Sequence, residues 1–209
     1  MSLLDKLKWR YATKKFDPAK KIPADKLEYI LDAVQLAPSS IGLQHFRVLV
    51  IEDAQIRAKL REAAYGQPQI TDASQLIVFA AETNINEDYA KSFIDHVAAS
   101  RSVERESLAG LETMVLGAIS SRTPEQLITW AQKQAYIALG FLLTAASEQD
   151  VDNCPMEGFD AAKFNEILGL SEKGLTATVI ATIGYRAGDD AFSQLKKVRK
   201  PKDELFIRI

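Results

Sequence analysis

"TPEQLITWAQKQAYIALGFLLTAASEQ", residues 123–149, decides how the rest of the chain must be arranged. Its first four residues provide an N-cap, a proline at the first helical position and a capping-box glutamine, so they predict the start of a long helix. Between residues 135 and 146 that helix is apolar on nearly every side, whereas a surface helix carries a single apolar stripe. The stretch is therefore predicted to lie at the centre of the fold or at an interface between subunits.

Hydrophobic periodicity outside this helix predicts a helix-rich α+β fold. Leu27, Ile30, Leu31 and Val34, for example, recur at helical spacing. No internal repeat, low-complexity segment or flexible linker divides the chain, so residues 1–209 are predicted to form a single domain. The other predicted elements are a first helix ending near Tyr11, helices at 24–36, 53–65 and 160–168, a mostly helical stretch at 86–120, strands at 46–53, 75–82, 152–154 and 177–186, and a possible edge strand at 203–209.

Composition excludes several classes of function. Charged residues make up 26% of the chain and the net charge is -2, so no global positive field favours nucleic acid or an anionic membrane as a partner. No apolar run reaches the ~20 residues of a membrane span and no signal peptide is evident, so a cytoplasmic location is expected. The single cysteine, Cys154, is interpreted as a structural thiol, and the two histidines are too few to predict a zinc site. Common nucleotide, zinc-protease and serine-hydrolase signatures are absent.

Four short stretches could carry chemistry, and each also has an ordinary structural explanation. The two runs of cations, at 10–17 and 195–201, have the ordinary explanation of solvated surface charge. Residues 37–46 are explained first as a helix-stopping loop, and residues 155–160 as a turn. However, phosphate is best held by an arginine fork with one or two ammonium groups, and small residues let backbone approach a flat ligand. The stretches are "RYATKKFD" (10–17), "APSSIGLQHF" (37–46), "PMEGFD" (155–160) and "LKKVRKP" (195–201).

In this order and spacing, the four stretches resemble the nitroreductase family of FMN enzymes, specifically the branch of oxygen-insensitive NAD(P)H nitroreductases and dihydropteridine reductases. Residues 130–149 resemble the long central helix of that family. The resemblance implies a helix-rich α+β fold with a central, mostly antiparallel sheet and a long buried central helix. It also implies a homodimer that binds two FMN molecules at the subunit interface, each contacted by both chains.

The resemblance assigns the basic residues at the two ends of the chain to the flavin. Arg10 and Lys14 match the flavin-binding arginine and lysine of the family, and Ala12 stands where a serine is common. Lys197 and Arg199 match the pair that helps to hold the ribityl phosphate. Arg10 is accordingly expected to bind phosphate. Lys14 is expected to face the pyrimidine edge of the flavin ring, where it would stabilise the charge that reduction places near N1.

A second group of matched residues is expected to surround the flavin ring. Ser39 and Ser40 match the loop that reaches the cofactor from the partner subunit, but Gly42 stands where asparagine is usual. Glu157 and Gly158 match a turn whose backbone amides face flavin N5 and O4.

Other positions near this loop and in a separate segment match the family less well. Gln44 matches a glutamine of the loop, whereas His45 and Phe46 replace a Pro-Trp pair. His45 is interpreted as a loop or core histidine. Gln69 falls where some relatives carry a lysine beside the flavin, and Gln67 is the near alternative.

The expected reaction transfers hydride from NADH or NADPH to FMN, after which the nicotinamide leaves and a nitroaromatic, quinone or similar acceptor takes its place. No side chain is assigned as a catalytic acid or base, because the flavin carries the chemistry and the protein positions the rings. Two alternatives remain: a flavoenzyme of the same fold that reduces enones, pteridines or halogenated aromatics, and a flavin-binding or scaffold protein without turnover. The sequence does not choose between NADH and NADPH.

Overall fold

The computed structural model describes residues 2–209 and contains a four-stranded sheet with helices on both faces. In chain order its helices and strands are α1 (Leu3–Trp9), α2 (Ala24–Gln35), β1 (Phe46–Ile51), α3 (Ala54–Ala63), α4 (Gln69–Asp72), β2 (Gln75–Glu82), α5 (Glu87–Arg101), α6 (Ala109–Ser120), α7 (Pro124–Glu148), β3 (Asp152–Met156), α8 (Ala161–Leu168), β4 (Leu175–Gly184) and α9 (Lys202–Leu205).

The strand order is β1-β2-β4-β3, and every neighbouring pair is antiparallel. β2 is buried along its whole length because it lies between β1 and β4 and is covered on both faces. β1 and β3 form the two edges of the sheet. This arrangement confirms the predicted helix-rich α+β fold with an antiparallel sheet.

Helix α7 packs on one face of the sheet together with α2, in a core that includes Ile30, Phe79 and Leu142. Alternate strand residues point to the opposite face, where α3 and α8 contribute Leu60 and Phe164 to a second core. α7 contacts all four strands, which confirms its predicted central position. Its remaining face is partly exposed and includes Tyr136, Ile137 and Phe141.

Local capping explains where α7 begins. The Oγ1 atom of Thr123 accepts a hydrogen bond from the Gln126 N–H at 3.3 Å, and Oε1 of Gln126 accepts one from the Thr123 N–H at 2.9 Å. This is the predicted capping box. The helical stretch predicted at 86–120 is interrupted after α5, where Ser102 adopts a left-handed φ of 54°. A one-turn 3-10 helix at Arg105–Leu108 then leads into α6.

The edge strand predicted at 203–209 is wrong. Lys202–Leu205 forms the short helix α9, which follows Pro201 and carries two acidic residues in its first turn, a pattern that favours a helix N-terminus. Residues 206–209 lie outside the sheet. Leu205, Ile207 and Ile209 recur at every second position, which fits a strand. A strand, however, needs a neighbour to satisfy its backbone groups, and this segment pairs with none of the described strands. Within residues 2–209, no helix is long and apolar enough to cross a bilayer.

Candidate functional site

The segment after α1 runs in an extended conformation beside edge strand β3. Ala12 forms a parallel bridge with Asn153, and the Thr13 N–H donates to the Asn153 carbonyl at 3.2 Å. Side chains alternate along an extended segment, so Arg10, Ala12 and Lys14 lie on the side opposite Thr13, which is fully buried. The three residues assigned to the flavin in this segment therefore share one side of it.

Asp190 holds this segment in place from the other end of the chain. Its Oδ2 atom accepts hydrogen bonds from the Tyr11 hydroxyl at 2.8 Å and from the N–H groups of Lys14 and Lys15 at 2.9 and 3.1 Å. Burial alone would raise the pKa of Asp190, but these hydrogen bonds outweigh it and hold the pKa below its ordinary value. The carboxylate therefore stays ionised and fixes the backbone that carries Lys14.

The C-terminal segment meets the N-terminal one at the end of α1. Lys197 Nζ donates to the carbonyl oxygens of Leu7 at 2.6 Å and Lys8 at 3.1 Å, and also to that of Arg10. Burial lowers the pKa of Arg10, and the nearby Arg199 guanidinium lowers it further. The pKa of Lys197 is lowered by burial and then by both arginines. Arg10, Lys197 and Arg199 thus form one group, called here the cation cluster.

The cation cluster has no counter-ion in the part of the chain that the structure describes. Nε of Arg10 donates to the amide oxygen of Asn153 at 3.1 Å, and none of the ion pairs within residues 2–209 involves a member of the cluster. The nearby Arg186 differs, because it pairs with the carboxylate of Asp152. Like charges held together without an anion repel each other, so this arrangement fits a phosphate dianion.

A turn after β3 forms the second part of the site. Tyr136 on α7 donates its hydroxyl proton to Glu157 Oε1 at 2.5 Å. Burial and the Glu157 carboxylate together raise the pKa of Tyr136 to about 12. Gln67 Nε2 donates to the Gly158 carbonyl at 2.7 Å. The four residue steps from Asn153 to Glu157 span about 13 Å of extended chain, so the cation cluster and the turn lie at opposite ends of β3.

Gln67 and Gln69 occupy different environments. Gln67 contacts the Gly158 turn, whereas Gln69 is 5% exposed and its Oε1 atom has no hydrogen-bond partner among the described residues. Both flank or belong to α4, which Arg57 anchors through hydrogen bonds to the carbonyl oxygens of Ile70, Ala73 and Ser74 at 2.7 to 3.0 Å. Gln67, the alternative choice, thus contacts the predicted flavin turn. Gln69 is buried and makes no hydrogen bond to that turn within the described residues.

The serine loop lies apart from the cation cluster in one chain. Ser40–Gly42 forms a single 3-10 turn after Ser39, and the Ser40 N–H donates to Gln134 Oε1 on α7 at 2.9 Å. Gly42 lines a cleft of about 770 Å³ between α2, β1 and α5, and among the described residues that line this cleft no other is assigned to the flavin. Within residues 2–209, no hydrogen bond or ion pair joins residues 39–42 to the cluster.

The residues that depart from the family pattern have structural contacts. His45 is fully buried and its ring lies 4.2 Å from that of Trp130, which confirms the interpretation as a core histidine. Phe46 belongs to the core beneath α7. Gln44 Nε2 donates to the Gln35 carbonyl at 2.8 Å and so closes the C-terminal end of α2.

Three residues that contact a residue assigned to the flavin were not predicted from the sequence: Asn153, Asp190 and Tyr136. Cys154 is buried, and burial raises the pKa of its thiol against the opposing charges of Lys14 and Arg10, which agrees with a structural role. In the described residues, no group of three His, Cys, Asp or Glu side chains could hold a metal ion.

Comparison with known proteins identifies relatives over nearly the whole chain. The family model described as "Nitroreductase family" matches residues 7–185. The chain is 37% identical over 208 residues to "Putative NAD(P)H nitroreductase YfkO" of Bacillus subtilis, covering 90% of both chains. It is 36% identical over 207 residues to a "Putative NAD(P)H nitroreductase" of Haemophilus influenzae, covering 94% of this chain and 91% of that protein.

Solved structures share the fold at lower sequence identity. The "putative nitroreductase ydfN" of Bacillus subtilis superimposes with a TM-score of 0.87 at 20% identity, covering 99% of this chain and 98% of that one. A "putative nitroreductase in complex with FMN" from Exiguobacterium sibiricum gives a TM-score of 0.85 at 19% identity, covering 100% of this chain and 98% of that one. At this identity the likeness establishes the fold.

Stability is expected to fall in acid because of His45. Its two imidazole nitrogens are buried and make no hydrogen bond of normal geometry. Burial lowers the pKa of His45 from 6.5 to about 4, with the Trp130 carbonyl opposing and the Arg122 charge adding to the shift. Between pH 6.5 and 4 the unfolded chain therefore takes up a proton that the folded chain refuses, so the free energy of unfolding falls by up to about 3 kcal/mol.

Urea unfolding of the wild type and of His45→Leu at pH 7 and pH 4.5 measures this term. We expect the wild type to lose about 2 kcal/mol more than the variant between the two pH values, because only the wild type carries the titrating ring. Parallel losses in the two proteins would contradict the assignment.

Proposed function

The chain belongs to the nitroreductase family, and from this premise we propose that it passes hydride from NADH or NADPH to nitroaromatic, quinone or similar acceptors by a ping-pong sequence. It is an NAD(P)H-dependent oxidoreductase whose cofactor is FMN. FMN, when bound, supplies the two-electron chemistry. The residues of the chain bind it, orient the substrates and set the charge around the ring.

One observation carries the proposal: no carboxylate of residues 2–209 pairs with the cation cluster. The Arg199 charge lowers the pKa of Arg10, and both arginines lower the pKa of Lys197, so the three cations lie close together. Lys197 is also hydrogen-bonded to the end of α1. A flavin phosphate would supply the missing negative charge. Arg10 and Arg199 would hold this phosphate. Lys197 donates its hydrogen bonds to backbone carbonyls and so mainly joins the two ends of the chain.

The residues near the far end of β3 suit the flavin ring. Lys14 makes no ion pair within residues 2–209, and its backbone is fixed by Asp190, so its ammonium group is available for the pyrimidine edge. The Gly158 carbonyl is occupied by Gln67, while the Gly158 N–H donates to no other described residue. That free N–H is the donor expected at the N5 side of the ring.

A homodimer is part of the proposal because one chain leaves the site open. Tyr136, Ile137 and Phe141 expose about two-fifths of their surface on α7, and exposed apolar patches of this kind mark interfaces. Four apolar residues at the C-terminus are also exposed: Leu205, Phe206, Ile207 and Ile209. A second copy would cover both surfaces. Ser39 and Ser40 would then reach the cofactor of the partner, which accounts for the lack of any hydrogen bond between these serines and the cation cluster within residues 2–209.

Anaerobic titration tests the proposed function. The FMN-loaded protein is expected to lose its yellow absorbance on addition of NADH or NADPH and to regain it on addition of a nitroaromatic or quinone. Absorbance at the flavin maximum measures both steps. Protein that stays colourless with added FMN would favour a scaffold. Yellow protein that neither nicotinamide bleaches would favour a flavin-binding protein without turnover.

Lys14→Ala is expected to weaken the binding of reduced FMN more than that of oxidised FMN. Because reduction places negative charge near N1, loss of the ammonium group makes the two-electron midpoint potential more negative, by about 30 mV for each tenfold difference in relative affinity. Lys15→Ala is the matched control, since Lys15 pairs with Asp189 and has no assigned role. Potentiometric titration gives the values. Equal potentials for Lys14→Ala and the wild type would refute the role of Lys14.

Arg199→Gln is expected to weaken FMN binding about tenfold while leaving riboflavin binding unchanged, because riboflavin lacks the phosphate. Fluorescence quenching of each flavin by apoprotein measures the affinities. Lys200→Gln, one residue away and also exposed, is the control. Equal loss of affinity for both flavins would show that Arg199 acts on the ring or the fold and not on the phosphate.

A further inference from the structure

A second cationic site lies where α6 joins α7. This hollow, of about 420 Å³, is lined by two cations and by no carboxylate of the described residues. We call it the junction hollow. Its lining residues are Ser121, Arg122, Gln126, Thr129, Trp130 and Lys133.

Arg122 is held in position while two of its three guanidinium nitrogens make no hydrogen bond to the described residues. Its Cζ lies 4.5 Å from the centroid of the Trp130 ring, and Nη1 donates to the Ala118 carbonyl and, at 3.4 Å, to Ser121 Oγ. Nε and Nη2 have no hydrogen-bond partner among the described residues, and no ion pair within residues 2–209 involves Arg122. A guanidinium that already lies over an aromatic ring and is partly hydrogen-bonded loses little freedom when it binds an anion.

Lys133 and Gln126 supply further donors on the same stripe of α7, because positions seven apart lie on one face of a helix. Lys133 is exposed and makes no ion pair within the described chain. Oε1 of Gln126 is used in the capping box, which leaves its Nε2 group free to donate. An arginine fork, an ammonium group and an amide N–H together match the oxygens of a phosphate.

The junction hollow is connected to the proposed flavin site through α7. Lys133 and Tyr136 are three residues apart, about 4.5 Å along the axis and on the same face. Tyr136 contacts Glu157 of the flavin turn. Gln134, next to Lys133, binds the Ser40 loop. A molecule with a ring at the flavin turn and an anionic group some distance from that ring could therefore contact both places.

We propose that the junction hollow binds a phosphate of the nicotinamide donor. The inference rests on the proposed function and adds a binding site to it. Both NADH and NADPH carry phosphates at a distance from the reactive ring, whereas nitroaromatics and quinones need carry none. The charge of the hollow thus matches the donor better than the acceptor, and Arg122 and Lys133 determine how tightly the donor binds.

Steady-state kinetics of the FMN-loaded Arg122→Gln and Lys133→Gln variants test the site, with an uncharged quinone as acceptor. We expect the KM for the donor to rise about tenfold in each, equivalent to about 1.4 kcal/mol, with kcat unchanged. Lys59→Gln, an exposed lysine on α3 across the sheet, is the control and should leave KM unchanged. An effect limited to NADPH would support the proposal and place the ribose phosphate in the hollow.

Calorimetric titration of FMN-loaded protein with inorganic pyrophosphate provides a readout that needs no turnover. Binding to the wild type and its loss in both variants would support a phosphate site in the junction hollow. Failure of both nicotinamides to bleach the flavin would contradict the proposed function and the identity of the donor, and would leave the phosphate site itself supported. Unchanged donor KM in the exposed Lys133→Gln variant, together with unchanged pyrophosphate binding, would overturn the inference. The inference would also be overturned if the variants raised only the KM for a carboxylate-bearing acceptor and left the KM for the donor unchanged.

Discussion

Repulsion between Arg10, Lys197 and Arg199 is the constraint around which the ends of this chain are arranged. Neutral groups and one distant carboxylate hold the cations together: the Asn153 amide orients Arg10, backbone carbonyls bind Lys197, and Asp190 fixes the segment that follows. No described residue neutralises the cluster itself. Hydrogen bonds therefore hold three positive charges close together, and this arrangement destabilises the fold unless an anion binds. Such a cost is typical of a binding site and unusual for a purely structural one.

Helix α7 connects this site to the rest of the molecule. Its buried alanines and leucines pack on the sheet, and its other face presents in turn Lys133, Tyr136 and the apolar residues 137 and 141. One rigid element thus positions the junction hollow, the Glu157 turn and the surface proposed to meet a second copy. Because a helix fixes the spacing of its side chains, a change in the position of α7 on the sheet would move all three together.

Sequence patterns predicted the features whose causes are local. The capping box and the apolar surface of α7 lie within one stretch, as does the continuous apolar run that becomes β2. Asp190 and Asn153 could not be found in this way, since their partners lie more than 140 residues away and a single polar residue carries no pattern. The predicted strand at 203–209 failed for a related reason: alternation describes a side-chain pattern, but a strand exists only beside a neighbour.

The contacts of His45 explain how one departure from the family pattern near Gly42 is accommodated in the structure. His45, which replaces a proline of that pattern, packs against Trp130, and Trp130 in turn supports the guanidinium of Arg122. The His45 ring is inclined at 50° to the Trp130 ring, and the Arg122 guanidinium lies over that same Trp130 ring, so Trp130 contacts both the buried histidine and the junction hollow. A protonated imidazole beside Trp130 would repel Arg122, and burial prevents that charge from forming near neutral pH. The buried histidine therefore adds no positive charge beside Arg122, and the charge of the hollow is that of Arg122 and Lys133.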